Sequence, residues 1–345
     1  MVLDKLKGVR LLQAPNNLAN QAWLLSQLLK SVGIDSTVVS YIKNYLGYES
    51  DINFGVDLET TSFIKKAMTV AKKFPGLLQY DLYHLHSNTL IPYINIDLPI
   101  LKMLNKPCLI NLHGTDARII SIAKKNNPYV EGVLINRDKK ATGFLKRCST
   151  FYDTVVVGDY ELEEYAKVYF KNATVIPRLI NYSTIEPKYS ISVKGKLKIL
   201  HTPTNERVKG TKIIEKAMSK YKRYVEYTKI INTSHKNTLM AIANCDIYLD
   251  QIIIGMYGVG SLEAMVLGKP VICYIRPDLK YKFYKNLPII TANPDTLDKT
   301  IKHLIKNRDM LAFIGKESRK YVEKYHNTEK ILGDYVSLYN SLLSK

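Results

Sequence analysis

Short apolar, β-rich runs alternate with helix-periodic segments along almost the whole chain. Runs of the first kind are read as strands at Val9–Gln13, Ser36–Tyr41, Leu82–Leu85, Cys108–Leu112, Thr154–Val157 and Thr174–Ile176. A second series follows at Lys198–His201, Glu226–Ile231, Asp246–Asp250, Val271–Ile275 and Ile289–Thr291. Runs such as the valines of Thr154–Val157 are apolar on both faces, which suits the buried strands of a parallel sheet. Between the strands, Leu24, Leu25, Leu28, Leu29 and Val32 recur at helical spacing, with Gly33 as a C-terminal cap. Leu297, Ile301, Leu304 and Ile305 do the same after the opening pair Asn293-Pro294. This alternation predicts βαβ units and an α/β fold with doubly wound sheets.

At 345 residues the chain suits two such domains, and strand signals lapse across Asn181–Lys194. Two α/β halves joined there place ligands in a crevice at the carboxyl ends of their strands. No apolar stretch is long enough to cross a bilayer, and the opening MVLDKLKGVRLLQAP lacks the apolar core of a secretory signal. The four cysteines are far apart, without a CxxC pair, and read as reduced core thiols of a cytoplasmic protein.

The formal charge of +19 favours polyanions: nucleic acid, an anionic membrane face or a phosphorylated substrate. A bias toward Lys, Ile, Asn and Tyr without functional meaning explains the same number equally well. No zinc spacing, RNP-like aromatic motif or helix-turn-helix pattern is present, so nucleic acid is not an expected partner.

The most informative segment is Asp250–Pro270, DQIIIGMYGVGSLEAMVLGKP. It follows a strand, contains Gly255, Gly258 and Gly260, and starts a short helix near Ser261. A loop feeding a helix N-terminus offers free backbone N–H groups and a positive dipole end, which suits a diphosphate. Glu263 in the first turn could accept hydrogen bonds from sugar hydroxyls; the plainer reading is a tight turn with a dipole-offsetting carboxylate. A second basic loop, Thr202–Thr211, carries Arg207 and Lys209, a cation pair able to neutralise charge on a leaving diphosphate. Its plainer reading is an exposed basic turn. In LHGTDAR, His113 ends a strand, where its near-neutral pKa suits proton handling or hydroxyl contacts; a structural histidine is the alternative.

The phrase GSLEAMVLGKPVI resembles the nucleotide-binding signature of the retaining GT-B glycosyltransferases of the sucrose-synthase-like family, family 4. Asp250-Gln251 with Tyr257 is similar to a DQ…G-Y-G form of that loop. The resemblance implies two Rossmann-like domains facing across a cleft: 1–184 for the acceptor, 185–326 for the nucleotide sugar, and a terminal helix, 327–345, packing back on the first. It implies that Glu263 binds the nucleotide ribose, and that Val259 and Gly260, with Gly258 and Ser261 beside them, meet the donor phosphates. Lys209-Gly210 matches the family's phosphate-gripping Lys-Gly, with Arg207 closer to the lysine than the family's arginine. His113 is the catalytic candidate, with Asp116 as an acceptor-side partner or base. The family's first signature glutamate, which contacts the donor sugar, falls on Gly255, so the sugar stays open. Where family members carry glycines in the opening loop, this chain has Asn16, Asn17 and Asn20, whose amides can donate.

No metal is expected: the chain lacks an Asp-x-Asp motif, and His84 and His86 are read as pointing to opposite faces of their strand. No cofactor is expected beyond the donor, a UDP-, GDP- or ADP-sugar. On the acceptor side, Phe63, Ile64, Ala67, Met68 and Ala71 form a stripe flanked by Lys65, Lys66, Lys72 and Lys73. It is read first as the core-facing stripe of a surface helix, and second as a peripheral contact with an anionic membrane beside a lipid-linked acceptor. The expected activity is glycosyl transfer to an acceptor hydroxyl with retention. The rivals are a sugar-nucleotide epimerase on the same fold, a basic nucleic-acid-binding protein and a non-catalytic relative.

Overall fold

The computed structural model describes residues 4–42, 46–56, 62–92, 94–133, 138–189, 194–282 and 286–344. The chain folds as two compact units, Met1–Ile119 with Arg137–Leu179 and Thr328–Lys345, and Ile120–Asn136 with Ile180–Asn327. It leaves the first unit after Leu179 and returns to it for the helix Thr328–Leu343. The excursion Ile120–Asn136 into the second unit has no counterpart in the sequence reading. Of the expected linker, residues 190–193 lie outside the described residues.

The first unit is built on seven parallel strands: β1 (Arg10–Ala14), β2 (Asp35–Ile42), β3 (Ile52–Val56), β4 (Leu82–His86), β5 (Cys108–Leu112), β6 (Thr154–Val157) and β7 (Asn172–Val175). They lie in the order β3-β2-β1-β4-β5-β6-β7. The central strands β4, β5 and β6 are buried along their whole length; the valines of β6 follow the apolar-run rule, while β4 and β5 bury His84, His86 and Asn111 as well. Strand β3 escaped the sequence reading because it is an edge, with only Val56 fully buried and Gly55 in a left-handed conformation. The returning helix Thr328–Leu343 covers this core with Ile331, Leu332, Tyr335, Val336 and Tyr339, packed in one cluster with Leu11, Leu82, Leu109 and Val156.

The second unit has five parallel strands, β8 (Leu197–His201), β9 (Val225–Lys229), β10 (Ile247–Leu249), β11 (Val271–Cys273) and β12 (Ile289–Thr291), ordered β12-β11-β10-β8-β9. Both orders reverse direction once, between β1 and β4 in the first sheet and between β8 and β10 in the second. Helices diverge to opposite faces at such switch points, leaving the strands' carboxyl ends open to a ligand. All four cysteines are buried and free, and burial pushes their thiols up, so they stay protonated.

The helix Phe63–Leu77 corrects one expectation. It buries Val70, Phe74 and Leu77, while Ile64 and Met68 are 70% and 67% exposed and Ala67 and Ala71 also face solvent. The inward stripe is a second i, i+4, i+7 series that begins later in the helix and so competes with the first. The side chain of Phe63 lies outside the described residues.

Candidate functional site

In the second unit one carboxylate at the switch point joins the loop after β8 to the loop after β10. Strand β8 leads to a short helical turn, Glu206–Lys209, which Asn205 caps by accepting from Val208 N. Gly210 then turns the chain in a left-handed conformation, where a side chain would also strike Ile252 at 2.8 Å. Lys209 Nζ forms an ion pair with Asp250 Oδ1 just after β10. Asp250 Oδ2 accepts from Ser261 Oγ at 2.5 Å and from Gly258 N at 3.3 Å. Burial would push the Asp250 carboxyl up, but the Lys209 charge and these three bonds hold it below its ordinary value. The helix Val259–Val266 starts here, with Gly258 as its N-cap, two residues earlier than the sequence suggested. Lys209, Gly210, Gly258, Val259, Gly260 and Ser261 are thus brought to one helix N-terminus.

Two of the glycines answer to the protein itself. A Cβ on Gly260 would sit 2.4 Å from the hydroxyl of Tyr248, which is fixed by Thr202 Oγ1 at 2.8 Å. At Gly255 the backbone is left-handed, with φ at 88°, and a Cβ would lie 2.4 Å from Cγ of Arg276. Arg276 is 1% exposed and its guanidinium bonds Asp278 at 3.0 and 2.6 Å. The space next to position 255, where the resembled signature has its first glutamate, holds an arginine stem.

Glu263, in this helix, is buried, and its Oε1 is bonded at 2.6 Å to Nε2 of His235. That bond raises the His235 pKa against the opposing effect of burial. Arg207 does not join the Lys209 cluster; its guanidinium donates to the carbonyl of Gly132. Gly132 belongs to the excursion 120–136, which also supplies Asn127. The buried Asn127 amide donates to the carbonyls of Ile253 and Ile254 at 2.8 and 2.9 Å, holding the loop that precedes Gly255. His235, Asn127 and Arg276 were not legible as site residues, because each acts through a partner distant in sequence.

In the first unit the site residues gather at the carboxyl ends of β1, β4 and β5. Asn16 Nδ2 donates to the carbonyl of His86 at 3.2 Å, and Asn20 adopts a left-handed φ of 60°, which asparagine tolerates. Asp116 folds back on its own loop, accepting from His113 N at 3.0 Å and Gly114 N at 2.6 Å. Arg118 is held by a fork to Glu161 at 2.9 and 2.7 Å. His113 Nε2 shares a hydrogen bond with His86 Nδ1 at 3.0 Å. Burial, with the charge of Arg178 and then His84, pushes the His113 pKa down to about 3. The imidazole is neutral at working pH and suited to hydrogen-bonding hydroxyls more than to taking protons.

The expectation that His84 and His86 face apart is overturned. Their rings lie 4.2 Å apart, because side chains alternate along a strand and positions i and i+2 return to the same face. His86 Nε2 continues to Gln13 Oε1 at 3.2 Å and His84 Nδ1 to the Tyr339 hydroxyl at 2.8 Å, a buried polar chain. Among the described residues no group of three or more His, Cys, Asp or Glu could hold a metal ion. None of their helices is long and apolar enough to cross a membrane.

No protein-family model and no curated protein sequence matches the chain. Solved structures do match it. The sucrose-phosphate synthase of Thermosynechococcus elongatus is 15% identical, with a TM-score of 0.73 over 97% of this chain and 99% of that one. WaaG, a glycosyltransferase involved in lipopolysaccharide biosynthesis, is 10% identical with a TM-score of 0.67 over 96% and 99%. Anabaena HepE in complex with UDP and glucose is 12% identical with a TM-score of 0.63, again over 96% and 99%. At these identities the likeness shows the fold, the α/β GT-B architecture of two Rossmann-like units.

Proposed function

We propose that the chain is a glycosyltransferase that moves a sugar from a nucleoside diphosphate sugar to an acceptor hydroxyl, with retention at the anomeric carbon. The observation that carries this reading is the convergence of Lys209, Gly258 and Ser261 on the Asp250 carboxylate at the start of the helix Val259–Val266, which carries Glu263 further along, past its first turn. A cation and oriented amides at one point would stabilise the charge that develops on a departing diphosphate. Glu263 would take the ribose hydroxyls. From the first unit, neutral His113 would contact sugar hydroxyls, while Asp116 would shape the loop that carries it. Arg207 would serve the phosphates only by leaving the Gly132 carbonyl.

The UDP bound to HepE supports a uridine donor, and the involvement of WaaG in lipopolysaccharide biosynthesis supports a glycan or lipid-linked acceptor. The exposed stripe Ile64, Ala67, Met68 and Ala71, bordered by lysines, supports peripheral contact with an anionic membrane at the cytoplasmic face. The experiment is thermal stabilisation by UDP-, GDP- and ADP-sugars, followed by product analysis with donor alone and with acceptor. At least one nucleotide sugar should raise Tm and yield a product glycoside with the same anomeric configuration as the donor. Absence of any shift would remove the proposal, and an epimerised donor in the acceptor-free reaction would replace it with the epimerase reading.

A further inference from the structure

The carboxylate assigned to the nucleoside is not set by its own helix alone. Glu263 Oε1 is bonded at 2.6 Å by Nε2 of His235, the first residue of the helix His235–Ala243. That helix has a fixed start, since Ser234 Oγ accepts from Asn237 N. A carboxylate oxygen has no proton to offer, so Nε2 carries the hydrogen whatever the charge of the ring. His235 remains partly open to solvent, at 30%, whereas Glu263 is 8% exposed in its side chain. The second carboxylate oxygen, Oε2, takes no protein hydrogen bond among the described residues.

We infer that His235 is a positioning residue: by anchoring Oε1 it fixes Oε2 as the acceptor for a vicinal diol of the bound nucleoside. The inference rests on the proposal that Glu263 meets the nucleotide. A glutamate carboxylate turns freely about its last torsion, and one ionic hydrogen bond from a second helix removes that freedom before the ligand arrives. The pairing also keeps the buried charge compensated when the site holds no nucleotide. Nothing in the sequence announces this, since the residues stand on different helices and their spacing follows no motif.

The test compares UDP, GDP and ADP with their 2′,3′-dideoxy forms by calorimetry, using the full chain. For whichever nucleotide binds the wild type, the dideoxy form should bind about tenfold more weakly. His235→Ala should lower affinity for the ordinary nucleotide to the level of its dideoxy form and leave the dideoxy form unchanged. His235→Gln, whose amide can still donate to Glu263, should recover most of the discrimination. Equal weakening of both forms, or discrimination intact in His235→Ala, would overturn the positioning role and leave the nucleotide site standing. Wild-type protein that binds none of the three would overturn this inference together with the function it rests on.

Discussion

Lys209 Nζ and Asp250 Oδ1 form an ion pair that ties the loop after β8 to the loop after β10, with the Asp250 side chain 1% exposed. The same carboxylate receives Ser261 and the amide of Gly258, so one buried charge organises the whole helix N-terminus. Removing the lysine leaves that charge uncompensated, which typically costs about 3–5 kcal/mol. Lys209→Ala should therefore lower Tm sharply and abolish nucleotide-sugar stabilisation. Combining Lys209→Met with Asp250→Asn should restore much of the Tm but none of the nucleotide response. Full nucleotide binding by the double variant would show that neither group serves the phosphates.

Placing at position 255 the glutamate of the family that the sequence resembles should fail. At Gly255 the left-handed φ and the stem of Arg276 together oppose any side chain, and each such strain costs roughly 1–3 kcal/mol. Gly255→Glu should lose at least about 2 kcal/mol of stability in urea unfolding, without a gain in turnover. A stable variant with increased transfer would mean that the Arg276 packing yields easily and that the loop accepts the family's usual residue.

Acid should destabilise the protein early. His113 is pushed down to about 3 and His201 to about 4, while burial also lowers His84 and His86 from 6.5. Unfolded histidines bind protons near pH 6.5, so the stability held by these neutral rings is complete above that value. It drains away as pH falls from about 6.5 toward 3 to 4. Tm measured across this range should decline, and His113→Gln should flatten the decline. A Tm indifferent to pH between 7 and 4 would contradict the burial of these imidazoles.

The exposed helix stripe makes its own prediction. Vesicles rich in anionic lipid should sediment the protein, and neutral phosphatidylcholine vesicles should not, with binding weakened by salt. Ile64→Ser with Met68→Ser should reduce binding through lost apolar burial, and charge reversal at Lys65, Lys66, Lys72 and Lys73 should abolish it. Equal binding to neutral vesicles would remove the electrostatic component.

The sequence alone determined the strand–helix alternation, the parallel character of both sheets and the Asp250–Pro270 segment as a loop that feeds a helix. These are local properties: apolar runs, turn residues and a helix N-terminus are written within a few consecutive positions. Only the tertiary structure decided that His235 grips Glu263, that Arg276 fills the space beside Gly255 and that Asn127 anchors the loop from a distant excursion. It also decided that Ile64 and Met68 face solvent, because two apolar stripes compete on one helix and only packing chooses between them. Contacts between segments far apart in sequence leave no period or spacing to read, so their partners emerge only once the chain has folded.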